Sequence, residues 1–452
     1  MPINNLPAAL QSIIQQNFLQ REFMQALRPM MGYRRLAEKR PFGARIGESI
    51  TMTRSGLLGA ITTPLAPAAN TDFTSGLTAQ NWATEQFTLG INQYAAQQMV
   101  NLVTSQVDIA NLFLQNAKVL AEQAAFSVET LAAEALYQPY MGGNTTVTVT
   151  LGAAGTTIDV DNVNGFLYAL NSAGQPVAVS STNPINVVVG SDTYSLVGAV
   201  ASGTNTSVTP YGASGTLTFS TAVSVADGTA GNAVVSSVGS KVVRPFATAN
   251  NVMAGTTAAF AGTPGNYANG GALTMRQVEQ AMTNLRMNGV KPLAGGKYLM
   301  LLSPQQMMGL YSDTAFQYLY RGVPGAAPFT EGDITEMPGV TLKITNISPT
   351  QTLSGQAVQR GIVAGEGALV EGEYTNVGYR YADMGADMDM ITIADGIAHI
   401  TREPLDALKQ VVTQTWAYIG GFVAPTDVTT NPTTLPTASN AYYKRAAVIE
   451  SL

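Results

Sequence analysis

The chain has 452 residues, of which 46% are hydrophobic and only 12% charged, and its formal net charge is −6. That balance excludes a disordered chain, which needs more charge and less apolar content, and leaves room for two or three domains with a sizeable core. There is no Cys and one His, His399; disulfide scaffolds, thiolate metal sites and multi-histidine centres are excluded, and any serine triad would have to use that histidine.

No basic stretch followed by an apolar run opens the sequence, and no apolar run reaches about 18 residues, so neither a secretory signal nor a membrane helix is expected. Charge is unevenly placed. Residues 1–54 hold eight basic residues (Arg21, Arg28, Arg34, Arg35, Lys39, Arg40, Arg45, Arg54) against three Glu, a balance of +5. The remaining 15 basic and 26 acidic residues give −11. A basic arm on an acidic body suits an inter-subunit contact or an anionic partner.

Residues 6–28 carry helical spacing through Leu10, Ile13, Ile14, Phe18, Phe23, Met24 and Leu27, and Pro29 stops it. The basic cluster follows, up to Pro41. This segment reads as an arm, too short to bury its own apolar face. Residues 43–54 and 83–94 alternate as strands, with a stretch rich in Gly, Ala, Thr and Pro between them; the pattern predicts a long two-stranded excursion. An isolated hairpin is marginal in water, so it must lie on a neighbour.

Residues 104–140 form the clearest predicted helix. Phe113, Ala117, Leu120, Ala124, Val128, Leu131 and Ala135 make one apolar stripe, unbroken until Pro139 and Gly142. At about 1.5 Å per residue it spans roughly 50 Å, the length of a strut. Composition then changes. Between Gly143 and Phe246 the only charges are Asp159, Asp161, Asp192, Asp227, Lys241 and Arg244, and short Thr/Val-rich runs are separated by Gly, Asn and Ser. An inserted all-β domain, a sandwich or small barrel, is predicted. Residues 247–270 read as a linker.

The remainder reads as mixed α/β: a helix over 273–288, a strand over 298–302, a short helix begun by Ser303-Pro304, then strands at 340–347, 360–371, 390–400 and 408–419. Residues from 421 thin into a Thr/Pro/Asn-rich tail. The fold class is therefore α+β.

The sequence holds no complete motif for catalysis or cofactor binding. Lys291 to Tyr298 (KPLAGGKY) lacks the first Gly and the Ser/Thr of a phosphate loop and precedes a strand rather than following one. Gly365-Glu366-Gly367 begins a dinucleotide pattern that Val370 breaks. Asp383, Asp387 and Asp389 offer carboxylates for a hard cation, but their spacing is not that of an EF-hand, and a solvated acidic loop is the plainer reading. Asp159 and Asp161 are expected on one face of a strand. His399 is expected to be structural. The sequons at Asn144 and Asn205 matter only in a secreted chain. For Arg34, Arg35, Lys39 and Arg40, three readings stay open: a solvated turn, inter-subunit pairing with the acidic body, or contact with nucleic acid, although the aromatic interleaving of single-strand binders is missing. No catalytic, cofactor-binding or metal-binding residue is nominated, and an enzyme is not expected.

An arm, an unsupported hairpin, a strut helix and an α/β body, in that order, resemble the major capsid proteins of tailed bacteriophages, the Hong Kong 97-type fold. The likeness covers 1–142 and 247–430. Two stretches sharpen it: Gly332 to Asn346 (GDITEMPGVTLKITN) looks like the axial-domain passage, and Gln410 to Gly421 (QVVTQTWAYIGG) like the closing strand of the peripheral domain. The resemblance implies an N-terminal arm over 1–42, an E-loop over 43–98, a spine helix with the start of the peripheral domain over 99–142, axial and peripheral domains over 247–430 and a C-terminal tail over 431–452. It departs from the family in the 143–246 insertion, because better-known insertions sit within the axial region. It implies no cofactor and no catalysis, but self-assembly into pentamers and hexamers of an icosahedral head, with scaffolding, portal and decoration proteins as partners, double-stranded DNA inside and no membrane. Assembly in the host bacterial cytoplasm is implied as well. Two alternatives stay open: a secreted surface or adhesin-like β-protein, and an encapsulin-type cargo shell.

Overall fold

A computed structural model describes residues 23, 25, 32–42, 49–55, 58, 60–62, 84–101, 109–170, 176–202, 214–236, 242–243, 271–321, 336–353, 356–374, 391–402, 411–425 and 444–452. The fold is α+β: one long helix, three sheets of six or seven strands and two separate two-stranded ribbons.

The spine helix runs Ile109–Met141 and passes through Pro139. Pro139 has no amide to donate back to the Ala135 carbonyl, and the helix ends within one turn of it, where the Gly142 amide donates to the Pro139 carbonyl at 3.3 Å. The expected stripe holds only in its first half. Ala117, Leu120, Ala124 and Val128 are buried, but the buried face then moves to Ala132, Ala133, Leu136 and Tyr137, leaving Leu131 and Ala135 half-buried. Two different cores cause the shift: the first half packs with Trp416 and Tyr418, the second with Leu301, Ile362, Leu369 and Val448.

The first sheet lies against the helix. Its order is Ala37–Phe42, Leu369–Tyr374, Val411–Val423, Ile397–Arg402, Ile391–Ala394, and Asn92–Asn101 also pairs with Val411–Val423. The arm strand Ala37–Phe42 is parallel to Leu369–Tyr374, so part of the expected arm is built into the body. Residues 390–400 form two strands rather than one. Asp395 and Gly396 turn between them, and both have positive φ (49° and 79°), as a two-residue Asp-Gly hairpin turn demands.

A second sheet, of seven strands, runs Val242–Val243, Ala446–Ser451, Gln356–Ala364, Tyr298–Leu302, Val340–Ile344, Glu336–Met337, with Thr350–Leu353 paired to Gln356–Ala364. Here the expected tail is corrected. Ala446–Ser451 is a fully buried strand inside this sheet, bonded to both Val242–Val243 and Gln356–Ala364. Residues 360–371, expected as one strand, are split at a turn where Gly367 has φ 70°. Around the sheet lie Met275–Met287, Pro304–Ser312 and an unanticipated helix, Thr314–Arg321. Ser303 caps Pro304–Ser312 as expected: its Oγ accepts from the Gln306 amide at 3.2 Å, while Gln306 Oε1 accepts from the Ser303 amide at 3.3 Å.

Strands between Asn144 and Ser236 form the third sheet, in the order Asn144–Thr146, Ala233–Ser236, Ile185–Val189, Asp192–Ala201, Gly215–Val223, Gly155–Val160, each antiparallel to the next. The two ends meet. Val147 bridges Val160, the Thr148 amide donates to the Asp159 carbonyl at 2.9 Å, and the Asp161 amide to the Thr146 carbonyl at 3.2 Å. The result is a closed six-stranded barrel, which leaves no sheet edge exposed. Val147, Ile158, Phe166, Val187, Leu196 and Phe219 fill it. The chain enters and leaves at one point: the Ser236 amide donates to the Gly143 carbonyl at 2.7 Å.

Candidate assembly elements: the clamped arm and the ribbon

Arg34 follows the start of a short 3₁₀ turn, Tyr33–Leu36, that leads into the arm strand. It is buried, and so is the carboxylate it meets. Arg34 Nε donates to both Glu371 oxygens at 2.8 and 3.0 Å, Nη2 lies 2.6 Å from Oε1, and Nη2 also donates to the Asp395 carbonyl at 2.5 Å. Tyr418 Oη donates to the same carboxylate at 3.0 Å, and the Arg34 guanidinium sits 5.6 Å from the Tyr418 ring centre. Burial alone would lower the Arg34 pKa; the bonds and charge of Glu371 outweigh it and hold the guanidinium above its usual value. The Tyr418 phenol is pushed up by burial and by the Glu371 charge.

A second carboxylate holds the turn from the helix side. Glu129 accepts from the amides of Tyr33 at 2.6 Å and Arg34 at 3.2 Å. Burial raises its pKa, opposed by those backbone bonds. Further along the arm strand, Lys39 pairs with Glu373 at 3.1 Å, half exposed, and Arg40 with Glu38 at 2.5 Å, also exposed. The basic cluster is thus tied mainly to acidic residues of the same chain. Of the three readings left open, the solvated turn fails at Arg34, because a parallel strand pairing carries it under Glu371.

The ribbon is Ser49–Ser55 paired antiparallel with Thr84–Gly90, from Ser49↔Gly90 to Ser55↔Thr84. It ends at Gly90, short of the expected residue 98, because Asn92–Asn101 crosses into the first sheet. The base of the ribbon packs on the body: Phe87 and Leu89 meet Val370, with Ile50, Met52, Ile91 and Val423 around them. Glycine makes the approach possible. A Cβ at Gly372 would run into Leu89, and one at Gly421 into the Gly90 carbonyl. Beyond the paired part, Leu58 and Ile61 are 54% and 79% exposed.

The other residues singled out in the sequence do not come together. Lys297 pairs with Glu336 at 2.5 Å, and Gly365 lies at a turn where its amide donates to the Arg445 carbonyl at 3.0 Å. Asp159 and Asp161 do not share a face. Their strand ends at Val160; Asp159 accepts from Thr216 Oγ1 on the barrel exterior, and Asp161 is buried at the closure. Asp383, Asp387, Asp389 and Asn205 lie outside the described residues. Among the described residues no group of three or more His, Asp or Glu could hold a metal ion, and no helix is long and apolar enough to cross a membrane. His399 is buried in the first sheet with its ring centre 5.0 Å from that of Phe23.

Glu129, Glu371 and Tyr418 were missed from sequence. The signal existed for one of them: Glu129 interrupts an otherwise apolar helix face between Ala125 and Ala132. Glu371 and Tyr418 carry no local mark, since only a pairing between distant strands brings them to Arg34.

No protein-family model matches the chain, and no curated protein sequence matches it. Solved structures do match. The capsid structure of the cyanophage P-SCSP1u aligns with 92% of this chain and 86% of its own, at TM-score 0.44 and 11% identity. The capsid of Ralstonia phage GP4 covers 92% and 87% at 0.46 and 11%. The capsid of cyanophage Pam1 covers 94% and 94% at 0.43 and 12%. All three are phage capsid structures. Superpositions this loose say what the chain is similar to and assign no role to its residues.

Proposed function

We propose that this chain is a major capsid protein, which self-assembles through pentamers and hexamers into an icosahedral head around a double-stranded DNA genome. The observation that carries the reading is the ribbon. A seven-residue strand pair whose apolar contacts with the body, among the described residues, lie at its base, followed by exposed Leu58 and Ile61, is marginal alone and is completed by lying on another subunit. The arm, ribbon, 33-residue helix and two mixed sheets occur in the order of the Hong Kong 97-type fold. A barrel of this closure fits a projecting knob on the shell exterior, since it has no open edge with which to join a sheet. Scaffolding, portal and decoration proteins are partners of this reading, and assembly in a bacterial cytoplasm is its setting. The role is structural rather than enzymatic.

The ribbon gives the test. Replacing residues 49–90 by a short Gly/Ser turn should leave a folded chain that sediments as a single subunit or a small oligomer, whereas the intact chain forms large particles. Large particles from the truncated chain would refute the assignment of the ribbon to assembly.

A further inference from the structure

The edge strand of a sheet offers a row of open N–H and C=O groups to any other chain, and proteins guard such edges with charge, proline, shortness or closure. Among the described residues, this chain guards all its edges but one. The barrel is closed. Val242–Val243, Glu336–Met337, Thr350–Leu353, Ile391–Ala394, Tyr168–Leu170 and Pro176–Ala178 are two to four residues long. The arm strand Ala37–Phe42 carries Glu38, Lys39, Arg40 and Pro41, and the ribbon strands carry Arg54 and Glu85. Asn92–Asn101 (NQYAAQQMVN) is the exception: ten residues with no charge and no proline. One side of it bonds to Val411–Val423, from Asn101↔Val411 to Asn92↔Gly420. Along the other side no strand lies among the described residues, and every second residue, about five of the ten, turns both its N–H and its C=O that way. Tyr94 and Ala96 pack toward the core of Leu120 and Trp416. On the opposite face Gln93, Ala95, Gln97 and Met99 are exposed, Met99 at 61%.

We infer that this edge is where two copies of the chain join: Asn92–Asn101 pairs antiparallel with the same strand of a second copy across a two-fold axis, merging two six-stranded sheets into one. A strand that pairs with itself sets each side chain near the axis against its own kind, so a charge there would meet a like charge. The chain has a net charge of −6, yet this strand carries none. Its Gln93, Gln97 and Gln98 suit self-pairing in a second way, because a side-chain amide holds both donor and acceptor and bonds to a copy of itself. The pleat fixes the geometry. Residues directly opposite point to the same face, so the axis passes at Ala96 or Gln97, in mid-strand, and both spine helices lie on one side of the joined sheet. The inference rests on the shell reading only in that a second copy is at hand.

The chain has no Cys, so single cysteines on the exposed face report the pairing. Gln97→Cys and Gln93→Cys are made in the full chain, treated at high protein concentration with a short thiol-to-thiol cross-linker, and resolved by denaturing electrophoresis. Facing Cβ atoms lie about 4.5–5.5 Å apart and diagonal ones about 7–8 Å, so Gln97→Cys, at or beside the axis, should form dimer at least about ten times faster than Gln93→Cys, whose two copies lie several residues apart. Adding Ala95→Lys and Met99→Lys to Gln97→Cys sets like charges across the axis on a solvent-facing side; the circular dichroism should stay the same while dimer formation falls about tenfold. Equal rates at the two cysteine positions, no dimer at either, or a rate that the lysines leave unchanged would each overturn the pairing. The first comparison stands even if the lysine variant does not fold. The gel also separates this inference from the shell reading: dimer at Gln97→Cys without closed particles supports the pairing and counts against the shell, whereas closed particles without dimer overturn the pairing alone.

Discussion

Arg34→Met removes one half of an ion pair whose side chains are 3% and 0% exposed. The carboxylate of Glu371 is then left with the Tyr418 hydroxyl alone. Breaking a buried pair from one side costs about 3–5 kcal/mol, because the surviving charge loses its partner without regaining water. The loss should be felt where the pair acts, on the turn Tyr33–Leu36 and the strand Ala37–Phe42. Native-state amide exchange of that strand is the direct assay. At about 1.4 kcal/mol per factor of ten, protection should fall by about two orders of magnitude or more. The spine helix shares a core with Tyr33 and Leu36 but is also packed there against Leu301, Ile362 and Val448, so it should change less than the arm strand. A triple replacement, Arg34→Met with Glu371→Leu and Tyr418→Phe, removes every charge and the hydroxyl together and should recover most of the loss. A single substitution costing under about 1 kcal/mol, or a triple no better than the single, would refute the clamp as the arm's anchor.

Other outcomes follow from the same contacts. Ile449→Ala, in the strand next to Gln356–Ala364, should destabilise the chain by about 2–5 kcal/mol in denaturant unfolding, and deleting residues 446–452 should prevent soluble expression, because Ala446–Ser451 fills a sheet position. Glu129→Gln should flatten a pH dependence: burial raises the folded pKa above the usual 4.5, so this group's contribution falls as pH rises through that raised value, and the variant should lose relatively less stability than wild type between acid and neutral pH. Replacing residues 144–236 by a short linker should leave the body folded, since entry and exit are bonded at 2.7 Å, and circular dichroism should show the helix signal retained.

Much of the architecture was legible because it is local. The spine helix announces itself by apolar period, the Ser303-Pro304 start by capping chemistry, and the barrel by short Thr/Val runs between turn residues. What was missed depends on partners far away in sequence. Residues 444–452 look like a tail until Gln356–Ala364 and Val242–Val243 are set beside them. Arg34 looks solvated until Leu369–Tyr374 runs parallel to the arm. The turn in 390–400 was readable and was overlooked: Asp395-Gly396 between Ile-Ala and Ile-Ala is a strong two-residue hairpin signal. The rotation of the buried helix face at Ala132 could not be read from one stripe, because it follows from two cores meeting one helix.

In the shell reading, subunits complete one another in a closed particle, and electron microscopy of the purified 452-residue chain, imaged without tags, decides it. Closed particles are expected, or free rings of five and six subunits, with density for the barrel projecting outward at one site per subunit. A dispersed, well-folded monomer that forms no rings or shells at high protein concentration, with a scaffolding protein added, would contradict it.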